Sequence, residues 1–254
     1  MPAVTASRYL VTAGWDDVPH LDAKTKKELW DSSPAHEREA RAKGIPTLGS
    51  GRIFPIAEEA LQVQAFPIPA HWPRLNGIDF GWDHPTAAVQ IAWDRDSDCI
   101  YVTQAHRLRQ AIPVVHASVI KPWGAWVPTA WPHDGEQTEK GNGEQLASQY
   151  AAAGLLMLKK RATFEDGTNG VEAGLMEMLG RMESGRFKVF AHLGDWFQEF
   201  KLYHRKDGKV VKKLDDLMSA TRYAVMMKRK AIVRPAPARA AASAWQPLDN
   251  EIGY

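Results

Sequence analysis

At 254 residues, with 44% hydrophobic and 24% charged residues and a formal net charge of only +2, the chain is ordinary globular material with mass for one large domain plus an appendage. No apolar stretch approaches the roughly 18–20 residues of a membrane span, and the N-terminus lacks the basic-then-apolar layout of a secretion signal, so a cytoplasmic protein without a membrane partner is expected. The single Cys99 excludes an internal disulfide framework and a cysteine-based zinc site, and it reads as core filler within a strand.

Residues 1–70 read as a linker or accessory segment. Asp22 caps a short helix running to Trp30, and Ser33 with Pro34 opens a second helix that ends near Gly44 and Pro46. Loop signals and a Pro-rich crossing follow, placing a domain boundary between His71 and Arg74. Beyond it, short apolar runs over 75–79, 87–93 and 99–105 predict an antiparallel meander of three strands. A helix over 114–121, a strand over 125–131, a helix over 143–153, a strand over 155–159, a helix over 171–184 and a strand over 187–190 continue the chain. The Asp-Gly of "YHRKDGKVVKK" marks a hairpin, and a last helix spans 215–228. Residues 231–254, rich in Ala and Pro, read as an extended tail after a domain over 71–230. Three meander strands followed by alternating helices and strands give an α/β fold: a mixed sheet with helices on both faces, in the order of a ribonuclease H-like domain.

Acidic residues recur where those elements end. Asp79 closes the first strand of the meander, Asp134 follows the strand over 125–131, and Asp215 with Asp216 opens the last helix. Singly, a strand-end Asp is a turn former, and a first-turn Asp complements the helix macrodipole. Together they suggest a carboxylate cluster, because like charges about 4 Å apart repel by roughly 4 kcal/mol at an effective dielectric near 20 and require a cation. Oxygen-only ligands favour Mg²⁺ or Mn²⁺, and two such ions can activate water and stabilise the leaving 3′ oxygen of a phosphodiester. On the last helix Asp216, Ala220 and Ala224 share one face, small enough for close approach to the sheet. Asp215 is rotated by about 100° from that face, and either acid can ligate if the helix begins between them.

Residues 201–239 hold twelve Lys or Arg against three acids. Such a run is ordinarily a solvated face, but beside an acidic centre it suits a phosphate backbone. His204, Arg205, Lys206, Lys209, Lys212 and Lys213 on the hairpin, with Lys140 on a Gly-rich loop, are the candidate contacts to DNA phosphates. Asp83 and His84, in the turn after Asp79, are weaker candidates. Trp123, Trp126 and Trp131 read as core.

The segments "GIDFGWDHPTAAV", "WPHDGEQTEKGNGEQLASQYAAAGLLML", "RFKVF", "FQEFKLYHRKDGKVVKKLDDLMSATRYAVMM" and "WQPLDNEIGY" resemble the C-terminal nuclease part of the large terminase subunit of tailed double-stranded DNA phages. The likeness covers roughly 74–254, and "WDDVPHL" and "PAHEREARAKGIPTLGSGRIFPI" resemble the stretch that joins the packaging ATPase to the nuclease. The resemblance implies a metal-dependent endonuclease that cuts concatemeric DNA when packaging starts and when the head is full. It implies double-stranded DNA, the portal protein and the small terminase subunit as partners, in the bacterial cytoplasm at the procapsid. By position, Asp79, Asp134 and the Asp215/Asp216 pair match the family's acidic metal ligands. Some relatives carry a further Asp or a His on the last helix, where Ser219 stands here, so the identity of the third ligand stays open. No G-x-x-x-x-G-K-[ST] loop is present, so ATPase activity and DNA translocation are not expected of this chain alone, and a fragment or a shortened gene product is expected. Alternative readings are an inactive DNA-binding or packaging fragment, a transposase- or resolvase-type nuclease, and an actin-like or sugar-kinase ATPase suggested by "DFGWDHPT".

Overall fold

The computed structural model describes residues 13–33, 38–44, 51–132, 146–206 and 209–236. Its centre is the predicted meander: β2 (Arg74–Asp79), β3 (Thr86–Asp94) and β4 (Cys99–Leu108), paired antiparallel with Asp79 opposite Ala87 and Ala87 opposite Arg107. β5 (Pro128–Ala130) and β6 (Leu156–Met157) add parallel to β2, and β7 (Phe187–Phe190) adds parallel to β4. With β1 (Gln62–Val63) on β7, the order is β1-β7-β4-β3-β2-β5-β6, a mixed sheet of seven strands among the described residues.

Both faces are covered, which is why the central strands read as nearly continuous apolar runs rather than as a clean alternation. On one face α6 (Val171–Glu183), α7 (Gly194–Leu202) and α8 (Asp216–Met226) enclose the larger core with Leu75, Ala87, Val89 and Ile91. On the other, α4 (Pro113–Ile120) and α5 (Leu146–Ala152) pack on Ile78 and Ala88. Trp131 is buried in this second core and Trp123 packs against it. A polar chain crosses the same face: the Gln90 amide donates to Asn76 Oδ1 at 3.1 Å, and the Asn76 amide donates to Thr129 Oγ1 at 3.4 Å. All three side chains are buried, so each fixes the register of its neighbour strand.

The N-terminal helix α1 (Ala23–Ser32) falls where its capping signal puts it, with the Asp22 carboxylate accepting from the Thr25 amide. Ser33, expected to cap the second helix, is the C-cap of α1, Pro34 lies outside the described residues, and α2 is described over Arg38–Ala42. The sheet, however, reaches back across the boundary expected at His71–Arg74. Ile53, Phe54 and Leu61 of the stretch containing α3 (Glu58–Leu61) are buried in the larger core, and β1 is a strand of the sheet. Two residues of strand are too short for any periodic signal, so this edge was invisible in the sequence. α7 was also unforeseen: its Trp196, Phe197 and Phe200 point into the core from an element that begins only four residues after β7. The strands expected over 125–131 and 155–159 shorten to three and two residues. Gly124, at φ 135, takes a backbone conformation that an L residue rarely adopts and delays entry into β5. The expected tail is described only as far as residue 236, where Ile232 bridges to Arg74.

Candidate metal centre

The approach of α8 to β2 builds the site. A Cβ on Gly77 would lie 2.1 Å from the Ala220 carbonyl oxygen and 2.9 Å from the Ala224 Cβ, so helix and strand touch backbone to backbone where a glycine faces two alanines. The Ile232 backbone, beyond the C-terminus of α8, pairs with Arg74 at the start of β2. α8 therefore runs antiparallel to β2, and its first turn stands at the end of the strand where Asp79 emerges. Asp216 precedes Ala220 by one helical turn, about 6 Å of rise, while Asp79 follows Gly77 by two residues, about 6.6 Å. The small-residue face read from the sequence sets this alignment.

Asp216 is buried at 6% exposure and Asp215 is half-buried. Burial pushes both carboxyls above the usual aspartate range; for Asp215 the adjacent Asp216 charge raises it further, whereas His84 favours ionisation of both. Asp215 is the N-cap residue of α8, yet its side chain makes no capping bond. The cap comes from another helix: Glu199 of α7, fully buried, accepts the Leu217 amide on Oε2 at 2.7 Å and the Arg107 guanidinium on Oε1 at 2.6 Å. Glu199 thus frees the α8 acids from helix capping and fixes the helix N-terminus against β4. Arg107 and Arg109 in turn temper the rise of the Asp216 carboxyl. Neither Glu199 nor Arg107 was singled out in the sequence, because a lone Glu in an unforeseen helix and an Arg on a strand carry no motif.

The turn after Asp79 is braced. Gly81 donates its amide to Thr86 Oγ1 at 3.1 Å, the same hydroxyl donates to the Gly81 carbonyl at 2.8 Å, and Phe80 stacks on Tyr150 with centroids 4.9 Å apart. A Cβ at Gly81 would meet the His84 oxygen at 2.4 Å, so this turn closes only around glycine. Trp82, Asp83 and His84 ride exposed on it. Asp134 and Lys140 lie outside the described residues. β5 nevertheless runs parallel to β2 with Ala130 beside Gly77, so the chain before Asp134 leaves the sheet at the Asp79 end. Among the described residues no group of three or more His, Cys, Asp or Glu is gathered closely enough to hold a metal.

Of the basic candidates, Lys206, Lys209, Lys212 and Lys213 are exposed on or just after the hairpin of β8 (Arg205–Lys206) and β9 (Lys209–Val210). Lys212 also favours ionisation of Asp215. Arg205 is engaged by Glu172, with Nη1 2.8 Å from Oε1, and the His204 ring Nδ1 lies 2.7 Å from the Leu202 carbonyl oxygen. Those two side chains are held within the protein, leaving the four lysines as the outward charge of the hairpin.

This architecture has known counterparts. The family model described as the terminase RNaseH-like domain matches residues 76–228. The chain belongs to this family of terminase nuclease domains. It is 49% identical over 214 residues to the large terminase subunit of Salmonella phage P22 and 48% identical over 213 residues to that of Enterobacteria phage LP7, covering 84% of this chain in each case. Only 43% and 45% of those relatives is covered, so the terminase chain described here spans less than half their length. Its fold superposes on the P22 large terminase nuclease domain with a TM-score of 0.69 at 48% identity, covering 73% of this chain and 96% of that one. A large terminase from a thermophilic bacteriophage shares the fold at 14% identity and a TM-score of 0.55, covering 84% of this chain and 54% of that one. The ribonuclease H-like mixed sheet read from the order of elements is the fold of this terminase domain.

Proposed function

We propose that this domain is a divalent-metal-dependent endonuclease that hydrolyses phosphodiester bonds of double-stranded DNA. The observation that carries the reading is the antiparallel seating of α8 on Gly77, which brings the buried Asp216 and half-buried Asp215 to the strand end bearing Asp79. The donor set fits Mg²⁺ or Mn²⁺: the acids are hard oxygen ligands, and burial disfavours the charges of Asp215 and Asp216, with the Asp216 charge adding repulsion at Asp215, unless a cation is supplied. Asp79, Asp216, Asp215 and Asp134 would hold the metal, which when bound supplies charge stabilisation and a water activated for in-line attack, with two ions the arrangement we favour. The protein's own part is positional. Glu199 and Arg107 anchor the first turn of α8, Gly77 and Ala220 set its depth, and Lys212 is near enough to Asp215 to favour its ionised form.

Cleavage of concatemeric DNA during packaging, with portal protein and small terminase subunit as partners at the procapsid in the host cytoplasm, extends the same reading. Its support is the near-half identity to phage large terminases. ATP hydrolysis is not expected, because the sequence contains no P-loop. The test is nicking of supercoiled plasmid in Mg²⁺ or Mn²⁺ by wild type and by Asp79→Ala, Asp134→Ala and Asp216→Ala. Each substitution should abolish cleavage while DNA binding persists; undiminished nicking by all three would remove the assignment.

A further inference from the structure

A tryptophan and an arginine stand together at the rim of the acidic site without a role in holding the fold. Trp82 is 56% exposed, the most exposed tryptophan among the described residues, on the braced turn three residues after Asp79. Arg109 follows β4 two residues after Arg107, whose partner opposite is Ala87, itself opposite Asp79. By the two-residue period of a strand Arg109 falls on the side of the sheet that Arg107 and α8 occupy, one step nearer the rim. Arg107 is taken up by Glu199, whereas Arg109 is exposed and has no hydrogen-bond or ion-pair partner among the described residues. The two rim segments are joined: the Gln110 amide donates to the Trp82 carbonyl at 3.3 Å, and Gln110 takes the left-handed φ of 52 that turns the chain away just after Arg109. Arg109 is also near enough to Asp216 to favour its ionised form.

Resting on the nuclease reading above, we propose that Trp82 and Arg109 form a clamp on the DNA strand entering the site, Arg109 on a backbone phosphate and Trp82 packed on the adjacent sugar or base. A guanidinium is a fork that binds phosphate oxygens in pairs, and an indole offers a face on which any base stacks, so the clamp tracks backbone and stacking rather than sequence. An exposed indole on the turn after Asp79 also has little use for a water-soluble surface, whereas it suits a rim through which a nucleic acid strand passes. The clamp would hold the strand against the repulsion of the same carboxylates that hold the cation.

The test uses the whole chain with short duplex DNA and Ca²⁺ in place of Mg²⁺ to measure binding, with Mn²⁺ titration calorimetry in parallel. Arg109→Ala should lower the slope of log affinity against log salt by about one, the signature of a single lost phosphate contact. Trp82→Ala should raise the KM for cleavage about tenfold, within the range of one lost stacking contact, while Trp82→Phe recovers much of the loss. Mn²⁺ affinity should be unchanged in all three. DNA titration should quench a component of the tryptophan fluorescence that is missing in Trp82→Phe. An unaltered salt slope in Arg109→Ala together with unaltered KM in Trp82→Ala would overturn the clamp. So would a loss of Mn²⁺ affinity in either. Failure of the clamp with Asp79→Ala and Asp216→Ala still inactive would leave the metal-centre reading standing; active Asp79→Ala and Asp216→Ala would sink that reading separately.

Discussion

At the scale of single residues, the most informative side chain is Glu199. A carboxylate at zero exposure is costly, and burial pushes its pKa upward against the pull of Arg107 and the Leu217 amide. Glu199→Ala would leave the Arg107 charge and a helix N–H without their acceptor, and a loss of about 3–5 kcal/mol is expected in urea unfolding. Glu199→Gln, which can still accept the amide, should lose less stability, with a drop in cleavage that exceeds its drop in stability if α8 shifts. A second residue-scale device lies on the opposite face. His106 Nε2 and His116 Nδ1 are 3.0 Å apart, and His116 Nε2 meets the Ala111 carbonyl at 3.2 Å. The carbonyl calls for a proton on His116 Nε2, so Nδ1 accepts from His106 and the His116 ring is neutral. Burial lowers both pKa values, and His116 lowers that of His106 further. The unfolded chain therefore takes up protons first. The pair's contribution is complete above about pH 6.5 and is lost as pH falls from there through the folded pKa values. Urea midpoints measured across that window should decline for wild type and decline less for His106→Leu; equal declines would assign the effect to other groups.

At the scale of elements, the contact between β2 and α8 determines both packing and chemistry. Gly77→Ala would press a methyl against the Ala220 carbonyl, and backbone cannot yield as a flexible side chain does. A destabilisation of about 1–3 kcal/mol or more is expected, with loss of metal affinity beyond that of a surface control, measurable by calorimetry on the folded fraction. Gly174→Ala offers a comparison, since there the obstacle is the Arg222 stem, which can move. The β2 to β5 pairing carries the other half of the arrangement, and the buried Asn76, Gln90 and Thr129 chain guards its register. β2, β3, β4, α4, α6 and α8 were legible in the sequence because each is long enough to show, the strands and α4 as apolar runs and α6 and α8 as amphipathic helices. β1 and α7 were not, the first for want of length and the second because only residues 191–193 separate it from β7.

At the scale of the whole molecule, the proposed site would join Asp215 and Asp216 to the strand end bearing Asp79, and burial of the two helix acids costs stability while they are charged. The carboxyls of Asp215 and Asp216 are raised above their unfolded range, so they favour the folded state below that range and this contribution is lost as pH rises through their folded values. At neutral pH a divalent cation should therefore raise the melting temperature, by about 2.7 kcal/mol of stability at a hundred times its Kd. Asp216→Asn should melt higher than wild type without metal and lose the gain with it; a metal-induced rise preserved in this variant would place the cation elsewhere. By itself the sequence indicated the candidate acids, the strand and helix ends that carry them, and the order of the longer elements, because these depend on local spacing and on residue chemistry. Only the tertiary structure decided that α8 lies antiparallel on Gly77, that Glu199 and Arg107 brace its first turn, that Arg205 is already paired, and that the sheet begins at β1. Each of those is a meeting between distant segments, and packing selects such partners from many that local spacing leaves equivalent.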